Sequence, residues 1–450
     1  MMKPGEIHEI PLTAYGRASS VPSPVNRMMT DFALDFRDGI DINLGVGYVN
    51  ERTIPRKLIE EAQRAVLANP KQYRVALNYG GSKGSPNLIE SIRRYHLNNR
   101  IKGLDEGILD EKEIIIGPNG ATSLLDGVAR LVEPGIVITT DPTYYIYCNL
   151  LLRTGFQILA VPEDDRGIRT DLLRELIEAL DEGRRRAIRF VYIVTVNNPT
   201  STILANERRR ELVRIVTELS VDLNKRIPII FDKAYEDLIH DPDCTKPESG
   251  FRNDDMGLVY EVGTLSKVLA PALRIGYMIG PPGVFMRAMV QRTNDVGFSA
   301  PLITQEIASY ILDHHIKGQI EKVRAGYRER AVAVRAFLDE TLGSFVSDCT
   351  GGRAGFYYYL TFDEGIRTDT GSRLYRFLTR ATGNPDLDGP PGARKPRVTY
   401  LPGEFCVHRG GGMVEVGRRQ MRLSYGFEEL SRIEEAIWYL REGVEYACRG

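Results

Sequence analysis

Thr264-Leu265-Ser266-Lys267-Val268-Leu269-Ala270-Pro271-Ala272-Leu273-Arg274-Ile275-Gly276-Tyr277 joins two short apolar runs, Val259–Val262 and Arg274–Ile279, that read as strands. A lysine just past a strand end, behind two hydroxyl residues, is an odd place for a solvated ammonium. Seven residues on, Arg274 opens the next run. A lysine tuned by burial and by neighbouring cations can form a Schiff base. The plainer reading is a surface lysine and a structural arginine, and this tract alone does not choose between the two.

Outward from this tract, short apolar runs alternate with helical patterns. Strands are expected at Glu113–Ile116, Ile136–Thr139, Gln157–Val161, Phe190–Val196 and Pro228–Phe231. Helices are expected at 56–68, from Ala121 to Val132, and at 170–182 and 205–219. Buried strands interleaved with helices predict an α/β fold, a mostly parallel sheet covered by helices on both faces. Beyond two long helices over 303–340 the pattern turns α+β. Strands are expected at Phe356–Leu360, 397–401 and Gln420–Ser424, and a last helix at 428–444. The division expected is an N-terminal arm with part of a small domain (1–50), a large domain (51–315) and a small C-terminal domain (316–450). Residues 1–26 read as extended, 28–36 as a short helix, and the Gly/Pro-rich stretches 383–396 and 409–418 as surface loops.

In such a sheet the ligand crevice lies at the carboxyl ends of the strands. Asp232, in Ile229-Ile230-Phe231-Asp232-Lys233-Ala234-Tyr235, ends one strand, with Tyr235 three residues later. A buried carboxylate needs a cationic or strongly donating partner, and a protonated pyridine nitrogen is one; a helix N-cap is the alternative. Asn197-Asn198-Pro199-Thr200 follows another strand and reads by itself as a turn. Gly117-Pro118-Asn119-Gly120-Ala121-Thr122 lies between a strand and a helix, where free N–H groups make an anion site. Tyr144, in Asp141-Pro142-Thr143-Tyr144-Tyr145, offers a flat face for stacking. Arg422 lies on a strand of the small domain, and its guanidinium matches a carboxylate in two-pronged fashion. Each has an ordinary packing or ion-pair alternative. A planar, phosphorylated, pyridine-containing cofactor accounts for all of them together.

The 450 residues carry a formal net charge of -1, so no global field draws the chain to nucleic acid or to anionic membrane. The triplets Arg184–Arg186 and Arg208–Arg210 read as solvated faces. Five cysteines, an odd number without a CxxC pair, predict reduced thiols in a cytoplasmic setting and no structural zinc. No metal is expected at His314-His315, since adjacent helical residues point apart. No apolar run is long enough to span a bilayer.

The order Asn197-Asn198-Pro199-Thr200, Phe231-Asp232-Lys233-Ala234-Tyr235, then Ser266 to Tyr277, then Met421-Arg422-Leu423-Ser424-Tyr425-Gly426 resembles the class I/II aminotransferases of the aspartate aminotransferase superfamily, fold type I. The tract from Ser266 to Tyr277 lies close to the kynurenine/2-aminoadipate branch, and residues 77–92 resemble a further family segment. The resemblance runs from about Ile42 to Arg422. It implies pyridoxal 5'-phosphate on Lys267 and exchange of an amino group between an L-amino acid and a 2-oxo acid. Asp232 would pair with the pyridinium nitrogen, while Asn198 and Tyr235 would donate to the ring's phenolic oxygen. Tyr144 would stack on the ring. Gly120, Ala121, Thr122, Thr264, Ser266 and Arg274 would hold the phosphate. Tyr79 would reach the partner subunit's phosphate in a homodimer with shared sites. Arg422 and the Gly47 backbone would grip the substrate carboxylate, with Asn198 beside them.

Three places depart from the family pattern: Ser201 for a glycine, Ala272 in the proline-to-arginine turn, and Ala121-Thr122 in the cradle. The run Gly355-Phe356-Tyr357-Tyr358-Tyr359 hints at aromatic or large apolar substrates. Two other readings stand beside transamination. One is a lyase, decarboxylase or cyclising synthase on the same scaffold. The other is a regulator or scaffold that keeps the fold; such regulators carry a helix-turn-helix extension, which is not expected in the short N-terminal stretch.

Overall fold

The computed structural model describes residues 10–74, 76–98, 104–390 and 392–449. After a short strand β1 (Ile42–Asn43), one large sheet takes its strands from the middle of the chain. They are β2 (Glu113–Ile116), β3 (Ile136–Asp141), β4 (Gln157–Asp164), β5 (Gly167–Ile168), β6 (Ile188–Val194), β7 (Ile229–Asp232), β8 (Val259–Thr264) and β9 (Gly276–Gly280). Their order is β2-β9-β8-β7-β6-β3-β4-β5. The neighbours from β8 through β4 pair in parallel, whereas β9 runs against both β2 and β8, and β5 runs against β4. Every residue of β3, β7, β8 and β9 is buried. That matches near-continuous apolar runs covered on both faces.

The reversed strand matters for the site. Because β9 is antiparallel, its beginning meets the carboxyl ends of β2 and β8, with Thr264 paired to Gly276 and Ile116 to Tyr277. Gly276 is required there: a Cβ on it would fall 2.1 Å from the Ala121 nitrogen. The helix Gly120–Leu131 can therefore start directly against β9. Arg274 does not open the strand as expected. It sits two residues earlier, after a 3-10 turn, in the left-handed region at φ +55°.

A second sheet, antiparallel, combines β10 (Val346–Gly351), β11 (Tyr357–Phe362), β13 (Leu401–Pro402) and β14 (Gln420–Ser424) in the order β10-β11-β14-β13. β1 pairs in parallel with β12 (Val398–Thr399), which ties the N-terminal segment to this part of the chain. Asp41 reinforces the tie, accepting from Arg37 at 2.7 Å and Arg397 at 3.0 Å. Burial pushes the Asp41 carboxyl up, but these hydrogen bonds outweigh it and hold it at about 2.

Three expectations need correction. The segment 10–26 is not simply extended: a helix runs Ala14–Ser19, and a second starts at Pro24, capped by Ser23, and ends at Leu34. Residues 1–9 lie outside the described residues. The stretches 383–396 and 409–418 each hold a short helix, Pro385–Asp388 and Val414–Gly417. The triplet Arg208–Arg210 is not a solvated face throughout. Arg209 is 1% exposed and its guanidinium lies 2.6 Å from Glu236. Glu236 also meets Lys233 at 3.2 Å, and Lys233 meets Glu261 at 2.9 Å. This chain of four buried charges compensates itself, which is the condition for burying them at all.

Candidate active site

The carboxyl ends of the large sheet bring most of the expected residues together. Asp232 ends β7 and is buried. Its Oδ2 accepts from the Tyr192 hydroxyl at 2.9 Å, and its Oδ1 from the Ala234 N–H at 3.0 Å. The second bond is a local turn contact and not a helix cap, since the next helix, Glu236–Leu238, follows Tyr235 without a side-chain cap. No Lys, Arg or His nitrogen among the described residues lies within 4.0 Å of this carboxylate. Burial pushes its pKa up to about 6, against the Tyr192 and Ala234 hydrogen bonds and the Lys267 charge.

Lys267 follows β8, and its Nζ donates to the Gly47 carbonyl at 3.1 Å. The ammonium also lies over the Tyr235 ring at 5.4 Å and the Phe356 ring at 5.5 Å. Burial, then the charges of Arg422 and Arg274, push the amine down to about 8, against the pull of Asp232. A neutral amine is thereby within reach near neutral pH.

Arg422 projects from β14 and is 2% exposed. It donates to Asn198 Oδ1 at 2.7 Å and to the Gly45 carbonyl at 2.6 Å, while its Nε has no partner among the described residues. No carboxylate lies within 4.0 Å of it among the described residues. Its face rests on the Tyr357 ring, 4.1 Å from the centroid. The Tyr357 hydroxyl lies 2.9 Å from that of Tyr235, and burial raises the Tyr235 phenol well above its usual range.

At the other end of the crevice, Gly120 takes φ +69° and starts its helix 3.0 Å from the Arg274 guanidinium, measured from where a Cβ would stand. Arg274 is steered there by Asn119, donating to its Oδ1 at 2.7 Å and its backbone oxygen at 3.1 Å. Thr264 and Ser266 share a 3.0 Å hydroxyl contact, and the Ser266 N–H donates to Thr264 Oγ1 at 3.1 Å. Ala121 is half-buried and Thr122 exposed on the first turn. First-turn N–H groups and a guanidinium, with the Ser266 hydroxyl beside them, form a donor-rich set suited to a phosphate, while the Thr264 hydroxyl donates to the Ile275 carbonyl at 2.7 Å. Tyr144 is half-buried beside Tyr145. Tyr79 stands apart from this group, 75% exposed with its ring against Phe298.

Buried ions ordinarily come paired. Here a lysine, an aspartate and an arginine from three elements converge without an ion pair at any of them. A group that brings a cationic ring nitrogen, an aldehyde, a phosphate and a bound carboxylate would supply what each lacks. The residues therefore fit pyridoxal phosphate.

Sequence reasoning missed Tyr192. It alternates along β6 with the apolar residues and so reads as core; only its place beside the Asp232 strand end marks it. Tyr147, whose ring centroid lies 4.6 Å from that of Tyr192, was missed for the same reason. Tyr357 was noticed only as part of an aromatic strand, not as a partner of Tyr235 and Arg422.

A family model described as aminotransferase class I and II matches residues 40–380. Aromatic-amino-acid aminotransferase 1 of Thermococcus litoralis is 27% identical over 90% of this chain and 88% of its own length. An uncharacterized HTH-type transcriptional regulator of Bacillus subtilis, YisV, is 25% identical over 88% of this chain and 72% of its own. Among solved structures, the kynurenine aminotransferase of Pyrococcus horikoshii, in complex with PMP, kynurenine and its product, superposes with a TM-score of 0.80. It is 25% identical, and the match covers 96% of each chain.

Proposed function

The chain belongs to the class I and II aminotransferase family, and from this premise we propose that Lys267 is the residue that holds its cofactor and that the amino donor is an aromatic or large apolar L-amino acid. The protein is an aminotransferase that uses pyridoxal 5'-phosphate. Bound there, the cofactor supplies an aldehyde carbon that carries the amino group and a ring that accepts electrons from the substrate's Cα.

The chain's own residues do the rest. Asp232 holds a negative charge against the ring nitrogen, and its Tyr192 and Ala234 hydrogen bonds fix its direction. The Lys267 amine, its pKa lowered to about 8 by burial and by two arginines, would take the proton from the substrate's Cα. Asn198 and Tyr235 donate to the ring oxygen, with Tyr357 orienting Tyr235. Tyr144 covers the ring face. The Gly120–Ala121 backbone, Thr122, Thr264, Ser266 and Arg274 hold the phosphate. Arg422 binds the substrate carboxylate with the N–H groups that protein acceptors leave open, beside the Gly47 backbone.

The observation that carries this reading is the convergence of Lys267, Asp232 and Arg422 without ion pairs. The donor preference rests on Phe356 and Tyr357 beside Lys267 and Arg422, and on the names of the Thermococcus and Pyrococcus relatives. We assign the large body to residues 51–315 and the small one to 316–450 with 1–50. We further propose a homodimer, with the exposed Tyr79 and Phe298 at its interface. A cytoplasmic location is consistent with five unpaired cysteines and with the lack, among the described residues, of any helix long and apolar enough to cross a membrane.

The test mixes purified protein with L-phenylalanine or L-kynurenine and 2-oxoglutarate. The expected products are the matching oxo acid and L-glutamate in equal amounts. Ammonia or carbon dioxide in their place would assign the site to a lyase or a decarboxylase, and no product at all would overturn the donor preference.

A further inference from the structure

The segment that carries Asp232 and Tyr235 has a second side. Lys233, Glu236 and His240 face a separate cavity of about 750 Å³, which neither Asp232 nor Tyr235 lines. Its other walls are Tyr277, His96 and one face of the long helix Ile316–Leu342. The volume lies in the range of small-molecule sites, and nothing in the transamination chemistry uses it.

The charge around this cavity is unbalanced at the rim. Its floor is self-compensated: Lys233 pairs with Glu236 and Glu261, and Asp241 at the edge is held by Arg353 at 2.6 Å. Lys317, Arg324 and Arg328 line it from the helix at spacings of seven and four residues, which puts them on one face. Lys246 faces them from a loop. Among the described residues no carboxylate lies within 4.0 Å of the Lys246, Lys317 or Arg328 cation. Arg324 donates its Nε to the Asp237 carbonyl at 2.8 Å, and its other N–H groups make no bond among the described residues. Against these stand Glu321, exposed, and the Asp237 carboxyl, which burial pushes toward its neutral form. Deeper in, His96 is 2% exposed; its Nε2 lies 3.0 Å from the Tyr277 hydroxyl and its Nδ1 has no partner among the described residues. A buried polar atom without a partner costs free energy unless a ligand or water satisfies it.

We propose that this cavity binds a small organic anion carrying two or more negative charges, and that its occupancy acts on turnover through the Asp232–His240 segment shared with the active site. Several charges are indicated because the helix cations spread over 11 residues, about 16 Å of axis. Coupling is expected because Lys233 is bonded directly to Asp232, and Glu236 to Tyr235. A ligand bearing on Lys233 or Glu236 bears on both.

Polycarboxylates and polyphosphates share this chemistry, so the cofactor-loaded protein is titrated calorimetrically with citrate and, separately, with ATP. The same titrations use the double variant Lys317→Glu/Arg328→Glu, whose two side chains are exposed and whose folding is checked by its melting temperature. One probe should saturate a single site per chain and bind roughly tenfold or more weakly to the variant. That probe should change kcat by about fivefold in the parent only. The proposal is overturned if neither probe saturates in the millimolar range, if the variant binds as the parent does, or if kcat does not move. Binding is read without turnover, so a failure here is distinct from a failure of the cofactor assignment.

Discussion

At the residue scale, the chemistry follows from three ionisable side chains placed where protein groups do not neutralise them. Asp232, Lys267 and Arg422 could each be picked out of the sequence because a strand end or a strand of the small domain is a poor place for a lone charge. Two of their supporting residues could not. Tyr192 and Tyr357 occupy strand positions where an aromatic side chain ordinarily means packing, and a hydroxyl contact across elements leaves no local pattern. Arg209 misled in the opposite direction, since its neighbours in the triplet are charged while its partner Glu236 is 27 positions away. Arg422→Met removes the guanidinium that we propose binds the substrate carboxylate. With about 2–3 kcal/mol for a charge-assisted pair, kcat/KM should fall roughly 30- to 150-fold, chiefly through KM in steady-state assays. Asp232 predicts a pH effect on the cofactor-free protein. Its folded pKa, about 6, is raised above 3.8, so its contribution is fully present below about pH 4 and is lost as pH rises through 6. Urea melts should show the parent losing about 3 kcal/mol more than Asp232→Asn across that window; parallel pH profiles would contradict the assignment.

At the element scale, the site depends on β9 running against its neighbours. Strands with apolar runs between helices were readable, and Glu113–Ile116 and Gln420–Ser424 came out with the observed bounds. Direction was not readable, because an antiparallel buried strand has the same composition as a parallel one. β10 was missed because Val346-Ser347-Asp348-Cys349-Thr350-Gly351 is a half-exposed edge strand without apolar alternation. The contact that joins β9 to the phosphate cradle is the Gly276 approach to Ala121. Gly276→Ala places a methyl group against backbone that cannot yield without shifting the helix start. An overpacking cost of about 1–3 kcal/mol should appear as at least a roughly fivefold weaker affinity for pyridoxal phosphate in fluorescence titration. Unchanged affinity would show that the helix start does not hold the phosphate.

At the scale of the whole molecule, substrate binding joins parts far apart in sequence. Arg422 meets Asn198 and Gly45, and Lys267 meets Gly47, so the N-terminal segment, the large sheet and the small sheet must close on one another for a complete site. The fold class was legible from the alternation of helices and strands, but this closure was not, since no local pattern records which distant loops touch. The exposed pair Tyr79 and Phe298 extends the argument to a second chain. Light scattering should give twice the chain mass, and Tyr79→Phe should weaken cofactor binding without altering that mass; a monomer with full activity would refute shared sites. The most direct measurement is reduction of the cofactor-loaded protein with borohydride, followed by proteolysis and mass spectrometry. The pyridoxyl phosphate label should sit on the peptide containing Lys267 and vanish in Lys267→Ala together with turnover, whereas a label on another lysine, or activity retained in that variant, would contradict the account.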